Sequence, residues 1–140
     1  MIEVEARTRD DIDAEPIVRR LVWTCKRMGL ERASMGLMVV QPDEMAQING
    51  THRDKPEPTD VLAFPVDGAE ALTWPEEGPP PELGDVVICP EAAQEPLTTL
   101  AVHGLLHLLG YDHETDSGEM LELQDRLVAE AGGGADGPDG

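Results

Sequence analysis

Three of the four histidines in this 140-residue chain fall within one run, His103-Gly104-Leu105-Leu106-His107-Leu108-Leu109-Gly110-Tyr111-Asp112-His113. On a helix, residues i and i+4 share a face, about 40° apart and roughly 6 Å along the axis. His103 and His107 can therefore aim at one ion. Gly110 can adopt the left-handed conformation that ends a helix. The chain can then turn back and bring His113 to the same point. Three imidazoles with a vacant fourth position describe a catalytic zinc rather than a closed structural one.

The spacing His-x-x-x-His-x-x-Gly-x-x-His is that of the metzincin proteases. In those enzymes the second residue is a Glu, the base that takes a proton from water at the metal. Here it is Gly104. The scaffold for a metal is present and the protease base is not, so the chemistry needs another arrangement of acid and base. Two histidines at this spacing also occur as polar-edge residues of ordinary amphipathic helices, with a third as a plain loop residue. The placement of His113 after a helix-stopping Gly is what separates the two readings.

Length suits one domain with one core. No stretch is long and apolar enough to span a membrane, and Met1-Ile2-Glu3-Val4-Glu5 lacks the basic and apolar regions of a signal peptide. Cys25 and Cys89 fall in apolar surroundings and form no metal motif. Two buried free thiols in a reducing cytoplasm is the favoured reading, a disulfide the alternative. The formal net charge is −19, unevenly spread. Residues 1–55 hold nine of the ten basic residues and ten acidic ones, whereas residues 56–140 hold Arg126 alone against nineteen acids. A polyanion is expected to approach through the N-terminal half, while the acids also serve as a solvated surface. Whole-chain charge argues against tight nonspecific nucleic-acid binding.

Residues 2–7 alternate apolar and charged, as a half-exposed strand does. Asp13 can cap a helix reaching Met28, with Pro16 in its first turn and Gly29 beyond its end. Strands are expected at 35–40, 60–65 and 84–89, the last mostly apolar and hence central. A short helix is expected at 42–49, then a polar, proline-bearing loop at 51–58 carrying His52, Arg53, Asp54 and Lys55. Residues 67–81, rich in Pro, Gly and Glu, read as a mobile surface loop. The histidine helix is expected at 96–109 and a last helix at 116–131. Four strands and four helices make an α+β layer fold in a single domain over residues 1–131, with a disordered tail at 132–140.

Three segments in this order resemble the successive motifs of the YbeY family: Pro58-Thr59-Asp60-Val61-Leu62-Ala63-Phe64-Pro65, Leu83-Gly84-Asp85-Val86-Val87-Ile88, and the histidine run. The resemblance implies a metal-dependent endoribonuclease that matures the 3′ end of small-subunit rRNA, with a part in ribosome quality control. It implies Zn²⁺ on His103, His107 and His113, and a functional arginine that Arg53 fits. Arg53 and His103 are then the catalytic candidates. The implied fold is a mixed four-stranded sheet flanked by helices, with a zincin-like metal helix. Implied partners are RNA and ribosome-associated proteins in the cytoplasm, with neither DNA nor membrane. The family carries a longer stretch than the 90–102 segment found here.

Around that site, Asp112 and Asp60 are further candidates. Asp112 can orient a ligand imidazole or cap the turn. Asp60 can anchor the loop after Arg53 or cap a strand. Arg53 can hold a phosphate through paired donors or form a surface ion pair with Asp54 or Glu57. Tyr111 is expected to pack and His52 to be solvated. Cleavage can use the RNA's own 2′-hydroxyl, leaving a cyclic phosphate, or water at the ion, which would act on DNA too. Two other readings stand beside the nuclease: a noncatalytic ribosome-associated adaptor stabilised by its metal, and a metallopeptidase, against which Gly104 weighs.

Overall fold

The alternating N-terminus forms strand β1 (Ile2–Arg7), and the helix α1 that follows covers Glu15–Arg27. Then come β2 (Ala33–Val39), α2 (Pro42–Arg53), β3 (Val61–Pro65), β4 (Glu82–Ile88), α3 (Leu97–Leu108) and α4 (Glu119–Gly133). Short 3₁₀ turns cover Gly68–Thr73 and Pro90–Ala92. This computed structural model describes residues 1–53, 59–112 and 115–133, with the backbone alone at 52, 53, 132 and 133. The strands make one mixed sheet in the order β1-β2-β4-β3. β1, β2 and β4 run parallel, and β3 pairs antiparallel with β4 as an edge strand. The α+β architecture and central β4 are those expected.

Position of the histidine helix follows from its composition. α3 buries Leu100, Ala101, Val102, Gly104, Leu105, Leu106 and Leu108. A helix apolar on nearly all sides needs partners on nearly all sides. One flank packs with α1 on β2 and β4, joining Leu100, Leu105 and Leu108 to Leu21, Leu37 and Ile88. The opposite flank, Val102 and Leu106, meets Met120 and Leu127 of α4. α2 covers the other face of the sheet through Met45, against Leu62 and Val87. The two histidines are left half-buried along the strip of α3 that no element covers.

Several boundaries differ from expectation. α1 starts at Glu15, and Asp13 accepts the Glu15 N–H at 3.1 Å from outside the helix rather than acting as its N-cap. α2 runs on through Arg53, so residues 51–53 are helical rather than loop. α2 passes through Gly50, and no proline intervenes before position 56 of the sequence. The 67–81 segment is built rather than loose at its base: Ala71 is buried, and the Asp67 carboxylate accepts the Glu82 N–H at 2.7 Å. α4 begins at Glu119, because Asp116 accepts the N–H groups of Gly118 and Met120 and so stands before the helix as its cap. α4 reaches Gly133, past the expected end at 131, and residues 134–140 of the expected tail lie outside the described residues.

Cys25 and Cys89 are buried free thiols, and burial pushes the Cys25 thiol up to about 12. No described helix is long and apolar enough to cross a membrane.

Arg9 ties the segment before α3 to the sheet. Its Nη1 donates to Glu91 at 2.6 Å and to the Val40 carbonyl at 3.3 Å, and Nε and Nη2 form paired bonds to Asp11. These bonds hold the Glu91 and Asp11 carboxyls below the usual carboxylate range. Groups with lowered folded-state pKa stabilise above their unfolded values, and that contribution is lost as pH falls through the lowered ones. The stability gap between wild type and Arg9→Gln is therefore expected to shrink between about pH 5 and pH 2. Urea titrations across that range test it; a gap independent of pH would refute the linkage.

Candidate metal centre

α3 sets His103 and His107 one turn apart on its open strip, with ring centroids 4.7 Å apart and the planes at 76°. Their Nε2 atoms stand 3.1 Å from each other. Each Nδ1 has its own partner. His107 Nδ1 meets the Tyr111 carbonyl at 2.9 Å, and His103 Nδ1 meets the Gln124 side-chain oxygen at 2.7 Å. Carbonyl oxygens only accept, so both rings donate from Nδ1 and turn Nε2 toward one point.

Two nitrogen lone pairs this close repel unless a cation lies between them. Ligand nitrogens about 2.0–2.1 Å from a tetrahedral zinc would stand about 3.3–3.4 Å apart, close to the spacing here. The donor set therefore fits a zinc-like ion. Among the described residues no cluster of three His, Cys, Asp or Glu side chains could hold a metal. His113, the third expected ligand, lies outside the described residues.

The turn after α3 is part of the site. Gly110 has φ +98°, the Gly110 N–H donates to the His107 carbonyl at 3.1 Å, and the Tyr111 N–H donates to the Leu106 carbonyl at 3.0 Å. That pair of bonds is a Schellman motif, which a glycine in the left-handed region closes at low cost. It reverses the chain and delivers the Tyr111 carbonyl to His107. Gly110 thus stops the helix as expected and also places the acceptor that His107 Nδ1 meets.

Gly104 has a steric cause. A Cβ there would lie 2.7 Å and 3.1 Å from the two methyls of Val86 and 3.3 Å from Val61 Cγ2. α3 rides so close to β3 and β4 that no side chain fits at the position where proteases carry a Glu.

The histidines open into a cleft of about 510 Å³. Residues 60–63 of the β3 edge form one wall, α3 and the turn at Gly110, Tyr111 and Asp112 the other. The Asp60 carboxylate accepts the Val61 N–H at 2.8 Å and its carbonyl accepts the Cys89 N–H at 2.9 Å, so it caps β3. The Asp112 backbone carbonyl accepts the N–H groups of Thr115 and Asp116. Tyr111 packs between α3 and α4 as expected. Arg53 ends α2; its side chain and that of His52 lie outside the described ones, as do residues 54–58 entire.

Gln124 went unremarked among the site residues, although it falls among Met120, Leu123 and Leu127 on the inward stripe of α4. A lone amide on an apolar stripe is the signal that finds it. Part of the basic N-terminal half is engaged in ion pairs. Arg7, Arg9 and Arg27 pair with Glu44, Glu91 and Asp11, and Glu130.

Comparison with known proteins gives one answer. The family model described as "Endoribonuclease YbeY" matches residues 3–132. Curated proteins named Endoribonuclease YbeY include that of Streptomyces griseus, 36% identical over 144 residues and spanning 91% of this chain and 87% of the relative. That of Micrococcus luteus is 44% identical over 115 residues, spanning 71% of each. That of Mycobacterium tuberculosis is 35% identical over 145 residues, spanning 92% of this chain and 82% of the relative. The solution structure of TM1509 from Thermotoga maritima superposes with a TM-score of 0.56 at 28% identity, spanning 93% of this chain and 88% of the other.

Proposed function

The chain belongs to the endoribonuclease YbeY family, and on that premise we propose that it is a zinc enzyme of small-subunit rRNA 3′-end maturation and ribosome quality control. As a member of that family it is a metal-dependent endoribonuclease, a hydrolase of phosphodiester bonds. The observation that carries the finer reading is the pair of Nε2 atoms 3.1 Å apart, each ring held through Nδ1. His113 completes the ligand set in this reading, on a metal helix arranged like that of the zincins.

When bound, the ion supplies positive charge that polarises a phosphoryl oxygen and lowers the pKa of water towards about 7. The chain's own residues do the rest. The described side chains lining the cleft include Asp60 and Asp112 but no Lys or Arg. A phosphate entering it therefore needs positive charge from the ion and from a cationic side chain beyond this described lining. Arg53, seven residues before Asp60 of the cleft wall, offers a guanidinium whose paired donors match phosphate oxygens. It binds the scissile phosphate and stabilises charge growing on the pentacoordinate phosphorus. The edge of β3 and the Gly110 turn confine the strand to one groove. The substrate is RNA in the cytoplasm, met together with ribosome-associated proteins.

The test is cleavage of a structured fragment carrying the small-subunit rRNA 3′ end, with metal content measured alongside. Arg53→Ala is expected to lose about 10²–10³-fold in cleavage rate with metal content unchanged. His52→Ala is expected to lose far less. Equal losses from the two variants would remove Arg53 from its role. A DNA strand of the same sequence reads the attacking group: if it stays intact and the RNA product ends in a cyclic phosphate, the 2′-hydroxyl is the nucleophile.

A further inference from the structure

Gln124 is the buried polar residue on an otherwise apolar face of α4, 9% exposed, and its oxygen lies 2.7 Å from His103 Nδ1. Burying an amide in an apolar setting costs free energy unless a partner compensates. The hydrogen bond to His103 provides that partner, across twenty-one positions of sequence. We infer that Gln124 is a positioning residue: it fixes the tautomer and ring orientation of His103 so that Nε2 faces the metal. The inference rests on His103 and His107 being metal ligands.

The chemical type of the acceptor carries a second consequence. A carboxylate behind a ligand imidazole makes that ligand more basic and its grip on the ion tighter. Here both outer partners are neutral, the Gln124 amide for His103 and the Tyr111 carbonyl for His107. A pair of neutral acceptors draws less electron density onto the ion, which keeps more of its charge for the phosphate. Gln124 thus sets a balance between holding the metal and leaving it electrophilic.

Two substitutions separate these effects. Gln124→Met keeps the volume and removes the acceptor. Gln124→Glu keeps the acceptor and adds charge. Zinc affinity is read by competition with a chromophoric chelator, the ligand field by visible absorption of the cobalt-loaded protein, and folding by circular dichroism of the metal-free forms. Gln124→Met is expected to bind zinc about 10–100-fold more weakly than wild type. Gln124→Glu is expected to bind more tightly than wild type, with a changed cobalt spectrum. Its cleavage pH profile should have the acid limb moved to higher pH. Wild-type affinity in Gln124→Met would overturn the positioning role and leave the metal site standing. If Gln124→Met does not fold, Gln124→Glu decides, and an affinity no tighter than wild type overturns the inference. A wild-type protein that binds no zinc would instead remove the metal reading itself, and this inference with it.

Discussion

Replacing His107 by Ala is expected to abolish metal retention and to lower RNA cleavage by at least about a thousandfold, while the metal-free protein stays folded. The ion is asked for several kcal/mol of transition-state stabilisation, and each 1.36 kcal/mol is about tenfold in rate. His107 supplies one of the two facing Nε2 atoms. Its loss leaves His103 without the neighbour that shares the ion. The fold does not depend on it to the same extent. His107 lies half-buried on the open strip of α3, whose seven other inward residues stay in place. The Nδ1 bond to Tyr111 is the main intramolecular loss, about 1 kcal/mol.

The same variant distinguishes an enzyme from an adaptor. A ligand at a thousand times its Kd stabilises the folded state by about 4 kcal/mol. Chelation should therefore lower the melting temperature of wild type and leave that of His107→Ala unmoved. In the nuclease reading, stability and cleavage fall together. In a noncatalytic adaptor only stability responds, because wild type has no cleavage to lose. Peptide cleavage by wild type would favour the metallopeptidase instead. Undiminished RNA cleavage by a metal-free His107→Ala protein would sink the metal centre.

Local pattern made the scaffold of this site readable before any coordinates. The apolar run of β4 marked it as central, and the i, i+4 histidines with a stopping glycine marked the end of α3 and the face its two histidines share. These are short-range signals, fixed by helical and strand periodicity. What escaped was set by distant contacts. Gln124 meets His103 across a helix packing. The ion pairs of Arg9 and Arg27 were equally hidden, because Glu91 and Glu130 are 82 and 103 positions away. The 51–53 segment read as loop from its polar residues, although α2 continues through it. Asp60 read as either a site or a cap residue, and its carboxylate accepts the N–H at the start of β3 as a cap does.

Gly104 is the position where sequence and structure give different reasons for one residue. Read as a motif, it is a missing base. In the fold, it is the point where α3 touches the sheet. Ala is normally favoured over Gly inside a helix by about 1 kcal/mol. At this site its Cβ would fall 2.7 Å from Val86 Cγ1, and Val86 is fully buried. A β-branched strand residue has little freedom to swing aside. Overpacking of this kind costs about 1–3 kcal/mol. Gly104→Ala is therefore expected to be less stable than wild type despite its better propensity. Gly104→Glu should fare far worse, failing to fold or melting well below wild type, because a carboxylate is forced against Val61 and Val86. Urea unfolding of Gly104→Ala with and without Val86→Ala isolates the cause: the penalty should shrink when the valine methyls are gone. A stabilised Gly104→Ala would refute the close approach. A folded Gly104→Glu that cleaves peptides would show that the helix has room for the protease base, and that its absence is a choice of chemistry rather than of packing.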